Sequence, residues 1–128
     1  MDYATYLARM QHALAVAEQG DLAGATAEYM TLVDSDISDP DKANICLNLA
    51  VITARQQRVE ESLAMHDLAE RFEERCSRYT AIERKAGLLQ SIGRTDEAVA
   101  LFERLQRESF VLEQDKERYR QIVQSLRG

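Results

Sequence analysis

Gln19-Gly20-Asp21-Leu22-Ala23-Gly24-Ala25 is echoed by Ile92-Gly93-Arg94-Thr95-Asp96-Glu97-Ala98, with Gly93 lying 73 residues after Gly20. Taken as two periods, that offset asks for a middle copy near residue 57. Gln57-Arg58-Val59-Glu60-Glu61-Ser62 stands there. Other columns keep the same phase: Ala13, Ala50 and Ala86; Ala25, Ser62 and Ala98; Tyr29, His66 and Phe102; Leu32, Ala69 and Leu105. Steps of four and three put a small residue, a ring and a small or medium aliphatic on one helical face. The pattern predicts close helix packing at the small residue, with the ring filling the gap beside it. The middle copy departs most, with Gln57 for Gly, Ser62 for Ala and His66 for an aromatic ring. A period of about 36 residues fits a helix–turn–helix unit.

Composition agrees with a helical chain. Among 128 residues there are 17 Ala and 14 Leu, five Gly, one Pro and no Trp. That usage favours helix and leaves too few turn residues for a β-sandwich or barrel. Hydrophobic residues at 45% are enough for a core and too many for a disordered polymer. The net charge of −6 falls on residues 1–64, which carry 10 acidic and 4 basic groups, while residues 65–128 carry 12 of each. No one-signed basic face is present to neutralise phosphates, so no nucleic-acid partner is expected. No apolar stretch approaches the ~20 residues that span a bilayer, and Met1–Thr5 does not read as a secretory leader. Cys46 and Cys76 lie far apart and read as reduced thiols in a cytoplasmic protein, with one disulfide as the minor alternative.

Seven helices are predicted, over 2–19, 22–35, 40–56, 59–74, 77–91, 95–109 and 113–127. They divide one domain into repeats at 1–37, 38–75 and 76–110, with a capping helix at 111–128. Gly20 and Gly93 fall where a helix stops and reverses. Asp39-Pro40-Asp41 reads as an N-cap, a first-turn Pro and an acidic first turn. Thr95-Asp96-Glu97 reads as a similar start without Pro. Tyr119, Ile122, Val123 and Leu126 share one face of the last helix, as a terminal cap requires.

These features resemble the tetratricopeptide repeat family. Gly20-Asp21-Leu22, Ala25, Tyr29 and Leu32 match its pattern, as do Gly93, Ala98, Phe102 and Leu105, and Pro40 falls where the family's Pro would after a slightly longer loop. The likeness covers roughly residues 6–110. The spacing exceeds the family's usual 34 by two or three residues, which places the difference in the loops. The resemblance implies an all-α superhelix of antiparallel helix pairs, whose first helices line a concave groove for a peptide or a partner's helix. By position, the first repeat would present Leu7, Met10, Gln11, Leu14 and Glu18 to that groove. The second would present Asn44, Leu47, Asn48, Val51 and Arg55, and the third Thr80, Glu83, Arg84, Gly87 and Gln90. The strip Leu7–Met10–Leu14 suits the apolar face of a partner helix. The amide of Asn48 can both donate to and accept from a partner's backbone. One subfamily clamps a terminal carboxylate with polar and basic groove residues. Asn48 and Arg84 match that set, but Met10, Leu14 and Thr80 stand where Lys, Asn and Lys are needed, so the clamp is not expected.

The remaining chemistry-bearing residues have plain structural readings. His66 occupies the ring column, so packing is expected rather than catalysis. His12 could face Cys46, but no orienting residue or oxyanion loop accompanies them, and Cys46 reads as a small buried apolar residue. Cys76 is expected near a repeat boundary, partly exposed. Asp34, Asp36, Asp39 and Asp41 form an acidic loop; a calcium loop counted from Asp34 would need Gly where Asp39 stands and Glu where Ile45 stands. No phosphate-binding, dinucleotide or zinc motif is present. The expectation is a non-catalytic protein–protein interaction module with no cofactor or metal. A self-associating scaffold, a small chaperone or regulatory adaptor, and a small hydrolase or ligand-binding protein using His12, His66 and Cys46 are its rivals.

Overall fold

Asp2 and Asp21 open the first two helices by capping them. In the computed structural model, which describes residues 1–128, the Asp2 carboxylate accepts from the Thr5 N–H at 2.7 Å and starts α1 (Tyr3–Glu18). Asp21 accepts from the Gly24 N–H at 2.9 Å and starts α2 (Leu22–Val33). Helix α3 (Asp39–Arg55) is capped by Ser38, one residue before the expected Asp39. The Ser38 hydroxyl accepts from the Asp41 N–H at 3.3 Å and donates back to the Asp41 carboxylate at 2.8 Å, a reciprocal arrangement that Asp39 could not make. The others are α4 (Val59–Glu74), α5 (Thr80–Ser91), α6 (Thr95–Arg107) and α7 (Glu113–Arg127). The protein is all-α, with seven helices.

Four reversals share one geometry. Gly20 (φ 88°), Gln57 (φ 60°), Ser77 (φ 54°) and Gly93 (φ 83°) are left-handed. After each, the next N–H reaches back five residues: Asp21 to the Val16 carbonyl, Arg58 to Thr53, Arg78 to Glu73 and Arg94 to Leu89. This is the Schellman closure of a helix end. The reversals at 20, 57 and 93 therefore stand in the predicted phase, and the one at Ser77 is additional. Thr95 is the first helical residue rather than the cap; position 94 is the cap, and the Arg94 guanidinium donates to Glu97 in its own helix and to Glu60 in α4.

The start of α5 is supplied from outside. Its cap residue Tyr79 makes no side-chain capping bond. Glu73, only 1% exposed, reaches from the last turn of α4 and accepts from the Ala81 N–H at 2.5 Å. A carboxylate suits the positive end of a helix dipole. Its other oxygen has no hydrogen-bond partner, and the Arg78 Nε lies 3.8 Å away.

The repeat columns form the interior. Ala13, Ala50 and Ala86 are buried, as are Ala25, Ser62 and Ala98, then Tyr29, His66 and Phe102, and Leu32, Ala69 and Leu105. Each helix packs on the one before and the one after, giving the pairs α1–α2, α3–α4 and α5–α6, closed by α7. Two apolar clusters result, and α4 joins them, giving Ala69 to the first and Leu63 to the second. Such a stack holds together through nearest-neighbour interfaces.

The two ends differ. At the C-terminal end Tyr119 is fully buried beside Phe102, with ring centroids 5.6 Å apart. Its hydroxyl donates to Glu83 at 3.0 Å, Tyr79 donates to Asp115, and Arg118 pairs with Glu83 at 2.8 Å. At the N-terminal end only Ala13 of α1 is fully buried, while Tyr3, Leu7 and Leu14 stay exposed. No helix is long and apolar enough to cross a membrane.

Candidate partner groove

The first helices of the first two repeats face a cleft of about 380 Å³. Met10, Gln11, Leu14 and Ala17 line it from α1; Asn48, Val51, Ile52 and Arg55 line it from α3; Tyr29 of α2 completes it. Both sets recur at three- and four-residue steps, so each is one face of a helix. Leu14 and Val51 are 52% and 44% exposed, high for large aliphatic side chains. The polar groups, Gln11, Asn48 and Arg55, are all exposed and available for hydrogen bonds.

Val51 is shared with a second cleft of about 220 Å³. Ala50, Ala54, Ser62, His66, Arg84 and Leu88 line the rest of it. The buried Ser62 hydroxyl donates to the Ala50 carbonyl at 2.7 Å, which satisfies a polar group placed in a small-residue column. His66 Nδ1 donates to the Ser62 carbonyl at 2.8 Å, leaving Nε2 as an acceptor in the neutral ring. Burial lowers the His66 pKa below its ordinary value, and Lys85 and Arg84 push the same way, against the Ser62 bond and Asp67.

Of the residues expected on the groove, Met10, Gln11, Leu14, Asn48, Val51 and Arg55 meet in the first cleft, and Arg84 lines the second. Leu7 and Asn44 are exposed but line neither. Leu47 is a correction: it is 3% exposed and belongs to the first core cluster. At ~100° per residue, position 47 sits roughly 60° around the helix from position 44, toward the neighbouring helices rather than the opening. Tyr29 and His66 were expected as core alone, and each also forms a cleft wall. The ring column that contains them was the available signal.

The residues of the hydrolase reading share no cleft. His12 is exposed on α1 with Nε2 3.1 Å from a Glu28 carboxylate oxygen. Cys46 is buried, and desolvation pushes its thiol pKa up to about 11, away from a reactive thiolate. Cys76 is half-buried and free, its Sγ directed at the Phe72 and Glu73 carbonyls. In the acidic loop, Asp39 pairs with Arg75 at 3.4 Å. No group of three or more His, Cys, Asp or Glu side chains is arranged to hold a metal ion.

Compared with known proteins, the chain matches no family model and no curated relative.

Proposed function

We propose that this protein is a non-catalytic interaction module of the tetratricopeptide-like kind, which holds a peptide or amphipathic helix of another protein between the first helices of its repeats. It would serve as an adaptor or scaffold in the cytoplasm. The observation that carries this reading is the first cleft, where exposed Leu14 and Val51 flank Met10 over a floor of Tyr29 and Ile52, with Gln11, Asn48 and Arg55 at hand. An apolar centre rimmed by polar groups is the arrangement of a peptide-binding groove. Free thiols at Cys46 and Cys76 agree with a reducing compartment.

Affinity capture from the source organism, followed by titration of the captured partner, tests it. Leu14→Asp is expected to abolish binding and Asn48→Ala to weaken it, each with an unchanged melting temperature. Equal binding by wild type and Leu14→Asp would overturn the groove; loss of the fold in Leu14→Asp would place that side chain in the core instead.

A second reading, self-association through α1, is favoured by the exposure of Tyr3 at 72% together with Leu7 on the same helix. Uncovered repeat ends stack readily. Light scattering across a concentration range decides it, and a strict monomer removes it.

A further inference from the structure

The two clefts contain an electrostatic asymmetry that bears on what they bind. Among their lining residues the only charged ones at neutral pH are Arg55 and Arg84; no carboxylate lines either cleft. Neither arginine lies within 4.0 Å of a carboxylate, and neither makes a side-chain hydrogen bond. Several arginines elsewhere are engaged: Arg58 with Glu61, Arg94 with Glu60 and Glu97, Arg104 with Glu70, Arg118 with Glu83, Arg127 with Glu103. Arg9, Arg71 and Arg107 are also unpaired, but none of them lines a cleft. The chain as a whole carries −6, and its first 64 residues carry all of that excess. Arg55 and Arg84 therefore put unpaired positive charge beside an apolar opening whose lining holds no carboxylate.

We propose that the segment held by this groove is acidic: an amphipathic peptide of a partner protein, with apolar side chains seated on Leu14 and Val51 and internal Asp or Glu side chains meeting Arg55 and Arg84. The inference rests on the groove reading above and gives it a ligand chemistry. A guanidinium presents a planar fork of donors that matches a carboxylate. Because Val51 borders both clefts, one segment crossing it passes from the Arg55 cleft to the Arg84 cleft without leaving the apolar ridge. Attraction at exposed sites acts mainly on specificity and association rate, and salt screens it.

The test is selection of random linear peptides displayed on phage against the full chain. The winning peptide is then synthesised with a free and an amidated C-terminus, and with each Asp and Glu changed to Asn and Gln. Fluorescence anisotropy reads its affinity for wild type, Arg55→Gln/Arg84→Gln and Leu14→Asp. The proposal expects acidic winners with apolar residues at helical spacing. It expects roughly tenfold weaker binding by the double arginine variant, a similar loss for the neutralised peptide, fading of both differences at high salt, and no effect of amidation. Neutral or basic winners that Leu14→Asp abolishes but the arginine variant does not would overturn the acidic assignment and leave the groove standing. Loss of binding on amidation would do the same, making a terminal carboxylate the ligand. Winners indifferent to Leu14→Asp, or no enrichment, would overturn the groove itself.

Discussion

The middle repeat and its two neighbours reach the same backbone by different means. Repeats one and three use Gly at the reversal, Ala in the small column and a carbon ring beside it: Gly20, Ala25 and Tyr29, then Gly93, Ala98 and Phe102. The middle repeat uses Gln57, Ser62 and His66 and stays in register. Each exchange introduces a local cost that the structure meets or bears. Ser62 finds the Ala50 carbonyl, His66 finds the Ser62 carbonyl, and Gln57 bears a left-handed φ with a full side chain. The repeat thus tolerates polarity wherever a backbone carbonyl lies within reach. The polar repeat also forms most of the wall of the second cleft.

The ring column gives the largest contrast. Phe102 is buried among Ala98, Leu105 and Tyr119, so Phe102→Ala is expected to cost about 3–5 kcal/mol in urea unfolding. His66→Ala is expected to cost less, about 0.5–3 kcal/mol, because a polar ring gains less from leaving water. Equal losses would mean that His66 packs as an ordinary core ring and that the middle repeat is not the softer one.

Acidification sharpens the same contrast. In the unfolded chain His66 takes a proton near the ordinary imidazole value of 6.5, while burial holds its folded pKa lower. Protons therefore favour the unfolded state between those two values. The stability held by the neutral ring is complete above about pH 6.5, is lost as the pH falls toward the folded pKa, and levels off below it. His66→Phe, which copies the third repeat, should remove that component. Unfolding measured at several values between pH 8 and pH 5 should then show a steeper loss for wild type than for the variant. Parallel curves would show that His66 titrates alike in both states. His12 is present in both proteins and cancels.

Much of the fold was legible because the repeat constrains side chains that meet one another. Ala13, Ala50 and Ala86 are small where helices approach closely, and such positions leave a periodic trace. The lining of the first cleft was legible where a position is exposed, as at Leu14, Asn48 and Val51. It failed at Leu47, because a helical wheel fixes angles within one helix and not the tilt of its neighbours. Glu73 was not legible at all. Arg71, Glu74 and Arg75 around it are charged and exposed, and only the Schellman closure at Ser77 turns α5 so that a carboxylate eight residues earlier meets the Ala81 N–H. The Arg94–Glu60 pair, 34 residues apart, is likewise set by the stacking of repeats.

The smallest expected effect lies at the reversal itself. Gln57 holds φ 60°, a conformation costing an ordinary residue about 1–2 kcal/mol, whereas Gly20 and Gly93 adopt it at no steric cost. Gln57→Gly relieves that strain but enlarges the conformational freedom of the unfolded chain, which takes back about 0.5–1 kcal/mol. The balance is a gain of about 0.5–1 kcal/mol, read as a higher urea midpoint with an unchanged slope. Gly93→Gln in the third repeat makes the reverse change in an open position, since a Cβ there would meet nothing within 4 Å. Its loss should therefore mirror the gain at 57, because both report backbone conformation alone. A loss at 57 instead of a gain would mean that the Gln57 side chain contributes more than its backbone strain removes, and that the middle repeat has its own way of turning the chain.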